Sequence, residues 1–239
     1  MPAAILDIRN PDDRADAAAA IADGAVAACA YNGIYTLVGD ADDPRVPGRA
    51  TAAKGRSESQ GLALVCPPEH FDEHVRPDAG TLASNDAFAR VQDLYRSVHA
   101  VGVILPAAAD APAHLVQSET ILNVWTEERP ESPLRELVRE LRARGRRALA
   151  GTSANRTGEP TITTAGEVVA VFANRVDVIL LDDFSHVPEA RRRSASIVDL
   201  SGTAPRLARL GSVPAAELAA ELRRLGFGEL QIPADVRRV

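Results

Sequence analysis

Ala150-Gly151-Thr152-Ser153-Ala154-Asn155-Arg156-Thr157-Gly158-Glu159-Pro160 is the stretch from which the rest of this sequence can be read. It follows an arginine-rich segment with helical spacing and a short apolar run at 148–150, which reads as a strand end. It gathers Thr, Ser and Asn side chains that are short and hydrogen-bonding, then closes on Gly158 and Pro160. Such residues form turns, so the plain reading is a surface loop. The residues from Ala165 to Phe172 have helical character, however. A loop from a strand end towards a helix is where α/β proteins place ligand-binding groups.

Working outward, helices are predicted over 12–23, 86–98, 132–144 and 214–225. Each has apolar residues at three- and four-residue spacing or clear end signals. Pro11 and two Asp open the first, and Gly24 follows it as a cap. Apolar runs of strand length lie at 25–31, 34–38, 61–66, 101–105, 121–125, 176–181, 197–200 and 207–209. Asn32-Gly33 between the first two is a turn signal. The segment 40–48 reads as a loop, 50–56 as a helical turn or loop, and 69–75 as a helix. Strands and helices mix throughout without a strict βαβ rhythm. The expectation is a single α/β domain over 1–239, with a twisted mixed sheet, a core at about 12–211 and a closing helix.

Composition narrows the function. Of 239 residues, 46% are hydrophobic and 25% charged, an ordinary globular balance. Aromatics are only 4%, so the core must be mostly Ala, Val, Leu and Ile. A net charge of -6 argues against general nucleic-acid binding, although one basic face stays open. Cys29 and Cys66 each lie in an apolar run without ligand-like spacing, which suits two buried thiols in a reducing, cytoplasmic setting. No stretch approaches the ~20 apolar residues of a membrane span. Of the 27 basic residues only Lys54 is lysine, which points to a site needing a compact ammonium or to a residue left by chance on a loop.

Three polar groups each adjoin an apolar strand: Lys54-Gly55-Arg56, Thr152-Ser153-Ala154-Asn155, and Ser194-Ala195-Ser196 with Arg209-Leu210-Gly211 beyond. Cations flanking a glycine let backbone and side chains approach an anion together, as phosphate binding requires. Ser and Asn add neutral hydrogen bonds that orient a ribose, a phosphate or a carboxylate. No Walker loop, dinucleotide glycine fingerprint or serine-hydrolase elbow is present. His70 and His74 with Glu73 give H-x-x-E-H, but no distant third ligand is evident, and no metal site is expected. The six arginines of 135–147 and the triplet Arg191-Arg192-Arg193 read first as solvated faces, with a phosphate-facing role as the alternative.

Taken together, KxR, then T-S-A-N-x-[ST]-G-E-P, then a V-D-L strand, then R-x-G resembles the YrdC-like family of threonylcarbamoyl-AMP synthases. The likeness runs from about Asp12 to Gly211, is strongest at 151–160 and continues through Thr163-Thr164 and Glu167-Val168. The length suits the family's short, single-domain form. The resemblance implies a YrdC-like α/β fold, a twisted mixed sheet flanked by helices, with a large, positively lined cavity. It also implies an ATP-using, Mg²⁺-assisted enzyme that joins L-threonine and bicarbonate into threonylcarbamoyl-AMP for tRNA adenosine modification, releasing pyrophosphate. Lys54 and Arg56 would then be the catalytic cations. Thr152, Ser153, Asn155, Ser196 and Arg209 would bind nucleotide.

The amino-acid side departs from the family pattern. The early P-T-x-T-x-Y-G-L becomes Ala30-Tyr31-Asn32-Gly33-Ile34-Tyr35-Thr36-Leu37, without the threonine hydroxyls. Trp125 stands where an arginine would meet the substrate carboxylate, with Arg129 as a shifted substitute. The substrate-side residues are therefore Tyr31, Tyr35, Trp125 and Arg129. Three readings follow: threonylcarbamoyl-AMP synthesis, a diverged paralogue acting on another amine or carbamoyl compound, and a nucleotide- or RNA-binding module without turnover. The amino acid and the oligomeric state stay undetermined.

Overall fold

The computed structural model describes residues 2–55, 61–76, 86–98, 100–126, 132–155 and 159–238. In chain order the strands are β1 (Ala4–Asp7), β2 (Ala27–Tyr31), β3 (Ile34–Asp40), β4 (Ala63–Val65), β5 (Val101–Pro106) and β6 (Val116–Gln117). They continue as β7 (Thr120–Trp125), β8 (Leu149–Ser153), β9 (Val178–Leu181), β10 (Ser196–Asp199), β11 (Arg206–Leu210) and β12 (Arg237–Arg238). The helices are α1 (Pro11–Ala22), α2 (Val46–Ala53), α3 (Ala87–Ser97), α4 (Pro133–Ala143), α5 (Ala165–Phe172) and α6 (Ala215–Arg224). The architecture is a mixed α/β sheet flanked by helices, as the sequence pattern suggests. Among the described residues, no helix is long and apolar enough to cross a membrane.

The chain gathers its contacts into two compact units, each built from two stretches: 1–65 with 131–192, and 66–130 with 193–239. In the first unit the strand order is β1-β9-β2-β3-β8-β4. Parallel pairs (β1 with β9, β9 with β2) meet antiparallel ones (β2 with β3, β3 with β8, β8 with β4). β2 is buried along its whole length, which explains its unbroken apolar sequence. The hairpin between β2 and β3 turns on Asn32 (φ 49°) and Gly33 (φ 83°), the paired left-handed geometry that an Asn-Gly turn supplies. α1 opens with Asn10, whose side chain accepts the Asp12 N–H, and Pro11 occupies its first turn. Its inward face, Ala17, Ala18 and Ile21, is small enough for α4 to pack against it.

In the second unit β7, β5, β10, β11 and β12 lie side by side, and β6 pairs with β7. β5 is antiparallel to β7 and parallel to β10, so Trp125, Val101 and Ser196 sit in one row across three strands. A buried polar knot holds this unit: Asn123 accepts the Cys66 N–H (3.0 Å) and donates to the Cys66 carbonyl (3.2 Å) and to Tyr95 Oη (3.1 Å). Tyr95 in turn donates to the Asn123 carbonyl (3.2 Å) and rests edge-on against Phe71.

Several boundaries shift. β1, β6 and β12 are short and were not anticipated, and α2 begins at Val46 within the expected 40–48 loop. Gly39 permits that start, since a Cβ there would lie 2.7 Å from Val46, whose side chain covers the strand. The 69–75 segment folds as a 3₁₀ turn, Pro68–Glu73, rather than an α-helix. Thr152 and Ser153 belong to strand β8, not to a loop, because β3 bonds that stretch on one side and β4 reaches it up to Gly151 on the other.

Two outcomes follow. Asn123→Ala removes the side-chain partner of the Cys66 N–H and carbonyl, while Tyr95 keeps its bond to the residue-123 carbonyl, and is expected to cost about 2–4 kcal/mol, read from urea unfolding midpoints. Cys29 and Cys66 are both fully buried, and desolvation pushes the Cys29 thiol up to about 12. An aqueous disulfide reagent at pH 8 should therefore label neither until denaturant is added.

Candidate functional site

In the first unit the candidate residues converge on the end of β8. α2 terminates at Lys54, and Gly55, at φ 66°, turns the chain away in the left-handed conformation that favours glycine. Arg175 donates to the Ala53 carbonyl (3.2 Å), closing the helix end. The Lys54 side chain runs inward and is 3% exposed. Its Nζ donates to the Ser153 carbonyl (2.6 Å) and lies 3.3 Å from Asn155 Oδ1 and 3.4 Å from Thr152 Oγ1. Ser153 Oγ donates to Asn155 Oδ1 (2.8 Å), and Asn155 Nδ2 donates to the Glu159 carbonyl (2.8 Å). Four of the residues singled out in the sequence thus form one cluster: Lys54, Thr152, Ser153 and Asn155. Arg56 lies outside the described residues.

The ends of the 154–162 loop are fixed at one point. Ala154 N–H donates to the Tyr35 carbonyl (2.8 Å), Tyr35 N–H to the Ile162 carbonyl (2.9 Å), and Ile162 N–H to the Ala154 carbonyl (3.3 Å). Tyr35 also spends its side chain on structure. Its hydroxyl donates to the Asp182 carbonyl (2.9 Å) and accepts the Asp182 N–H, while its ring meets Phe184 edge-on. Burial raises its phenol to about 12. Tyr31 is buried at the hairpin end, and Val187 and Arg192 cover the turn, each within 2.8 Å of where a Cβ on Gly33 would sit.

In the second unit Ser196, Arg209 and Gly211 come together around one crossing of the chain. Ser196 is fully buried; its hydroxyl donates to the Val213 carbonyl (2.7 Å) and accepts the Gly211 and Val213 N–H groups (2.8 and 3.2 Å). It is a clip for the backbone, with its hydrogen-bonding capacity already engaged. Arg209 donates through Nε and Nη2 to the Ala195 carbonyl (3.1 and 2.8 Å). No carboxylate pairs with it among the described residues, and burial, aided by repulsion from Arg237, lowers its pKa to about 10. Gly211 explains the R-x-G spacing, because a Cβ there would collide with the Ser194 carbonyl oxygen and lie 2.7 Å from the Ala195 carbonyl. Trp125 is fully buried at the end of β7. Arg129 lies outside the described residues.

The basic helix face is largely neutralised. Arg139 pairs with Glu136 (2.5 Å), Arg144 with Glu140 (3.4 Å), Arg146 with Asp40 (3.3 Å) and Arg147 with Asp42 (2.6 Å). Arg144 and Arg146 also donate to the Ala15 and Ala22 carbonyls of α1. Among the described residues one group of three metal-type ligands occurs, Asp182, Asp183 and His186, and it does not include His70 or His74. Arg9 pairs with both of its carboxylates (2.5 and 2.6 Å).

Known proteins resemble this chain in sequence and in fold. The family model for Sua5, YciO and YrdC, described as telomere recombination, matches residues 19–211. A threonylcarbamoyl-AMP synthase from Chromohalobacter salexigens is 30% identical over 168 residues, which cover 70% of this chain and 84% of that protein. Sua5 of P. abyssi, solved with L-threonine, superposes with a TM-score of 0.76 at 19% identity. The match covers 98% of this chain but 63% of that one, so the chain spans less than two thirds of that Sua5. E. coli YciO superposes with a TM-score of 0.69 at 17% identity, covering 90% and 96% of the two chains.

Gly211→Ala should lower stability by about 3 kcal/mol, since the clash is with backbone that cannot swing aside. Thermal melting checks this, with Gly202→Ala as the control, because a Cβ at 202 meets nothing within 4 Å.

Proposed function

The chain belongs to the Sua5/YciO/YrdC family, and from that premise we propose that it is an ATP-dependent synthase forming a carbamoyl-adenylate, with L-threonine and bicarbonate as the other substrates. The carrying observation is the buried Lys54 ammonium, held by three oxygens at the end of β8. Burying a cation is costly unless polar groups surround it. With three oxygens around its three N–H bonds, the ammonium is a fixed positive charge that favours a phosphate through its field, or by exchanging one of these partners for a phosphate oxygen. The name of the C. salexigens relative supports the substrate assignment.

In this reading the threonine amine captures bicarbonate as a carbamate, losing water. A carbamate oxygen then attacks the α-phosphorus of ATP, and pyrophosphate leaves. Negative charge grows on the leaving group, so fixed cations favour the transition state. Lys54 and Arg56, its sequence neighbour, are read as such cations, and Arg209 as a ligand of nucleotide phosphate. Ser153 and Asn155 orient polar groups of nucleotide or carbamate. Thr152, Ser153 and Asn155 offer neutral oxygens, and Arg9 already pairs with the Asp182–Asp183 carboxylates, so neither donor set fits a resident Mg²⁺. The ion would arrive on the phosphate oxygens of ATP. The pairing of four arginines near α4 with acids weighs against RNA binding through that face.

The covered hairpin at Tyr31–Gly33 and the buried Trp125 favour a second reading, in which the amine or carbamoyl compound is not threonine. One assay separates the two. Protein with ATP, Mg²⁺ and bicarbonate should release pyrophosphate when L-threonine is added, and Lys54→Ala should slow this about a hundredfold or more. Release only with another amino acid or carbamoyl compound selects the second reading. No release with any of them, alongside tight and salt-sensitive RNA binding, rejects both.

A further inference from the structure

Beyond the residues matched by the family model, 19–211, the chain returns to the second unit in one more strand, β12. Gln231 anchors the approach: its N–H donates to the Pro205 carbonyl (2.9 Å) and its carbonyl accepts the Leu207 N–H (2.8 Å). β12 then runs parallel to β11, with Arg237 opposite Arg209 and Arg238 opposite Leu210. Residues paired across a ladder point to the same face of a sheet, so the register puts a second guanidinium beside Arg209.

Nothing in the chemistry of the fold asks for this pairing. Like charges on neighbouring strands are destabilising. Among the described residues, neither Arg209 nor Arg237 meets a carboxylate, although the chain carries 33 acidic residues against 27 basic ones. In the same unit Arg223 and Arg224 do find acids, Glu229 at 2.8 Å and Glu221 at 2.5 Å. Arg209 is partly buried and tied to one carbonyl, Ala195, while Arg237 is exposed, so the pair presents an anchored fork and a solvent-facing one. Two adjacent guanidinium forks without counter-ions suit an anion with several oxygens and more than one charge.

We infer that Arg237 and Arg209 form a single site for the phosphate chain of the nucleotide or its pyrophosphate product, with β12 supplying a cation from outside the family domain. This rests on the reading of Arg209 as a phosphate ligand given above. The shared charge would be satisfied only when ligand is bound, so β12 sets affinity as well as capping the sheet edge.

Isothermal titration of the full chain with inorganic pyrophosphate, at fixed ionic strength, tests the site. Arg237→Ala should weaken binding about tenfold and Arg237→Lys by less, since the charge remains while the fork is lost. Arg209→Ala should weaken it at least as much. Arg237 is exposed, and unchanged melting of the free variants keeps the comparison sound. Wild-type affinity in Arg237→Ala together with loss in Arg209→Ala overturns the inference and leaves the adenylate reading standing. Unchanged affinity in Arg209→Ala, or no binding by the wild type, removes the phosphate role of Arg209 and the inference with it. A parallel titration with a short single-stranded RNA covers the other phosphate source. If Arg237→Ala loses affinity for RNA alone, the inference fails.

Discussion

A buried ammonium organises the first unit. Lys54 reaches from the end of α2 to the last carbonyl of β8, and the low-dielectric surroundings make any loss of its partners expensive. Holding that charge fixes where α2 must stop, why Gly55 turns the chain away, and why Asn155 leans back over the strand. It also requires α2 to lie close on β3, which the absence of a side chain at Gly39 allows. The helix, the strand end and the loop are thereby set by one cation rather than by apolar packing alone.

The second unit relies on a different device. Ser196, Gly211 and Val213 close a backbone crossing that no larger residue at 211 would tolerate. The motif residues in this unit therefore divide into two sorts. Ser196 and Gly211 shape the chain, and Arg209 is left with a charge that the fold does not cancel. The motif thus joins residues whose polar groups the fold occupies to one whose charge the described fold leaves without a carboxylate.

Much of this was legible in the sequence. The helices at α1, α3, α4, α5 and α6 follow from spacing and end signals, and Asn32-Gly33 declared its hairpin. The lone lysine among arginines marked Lys54, and the polar run marked Thr152, Ser153 and Asn155. What escaped the sequence depends on partners distant along the chain. Thr152 and Ser153 look like turn residues until β3 bonds them and β4 pairs the strand just before them. β1 and β12 are too short and too exposed to show alternation, and exist through pairing with β9 and β11. Likewise the arginines of 135–147 read as a solvated or a phosphate-facing surface, because Asp40 and Asp42, about a hundred residues earlier, gave no sign that they would pair with Arg146 and Arg147. Tyr35 and Ser196 were legible as polar, but not as residues whose hydroxyls the backbone already occupies.

The fastening at Tyr35 has a wider consequence. Because Ala154 bonds to the Tyr35 carbonyl, Ile162 to the Tyr35 N–H, and the two to each other, the intervening stretch has both of its ends at one residue of β3. Changing its length costs little, about 0.6 kcal/mol for each doubling of a flexible loop. β3 and β8 would keep their register while residues between those two ends are gained or lost.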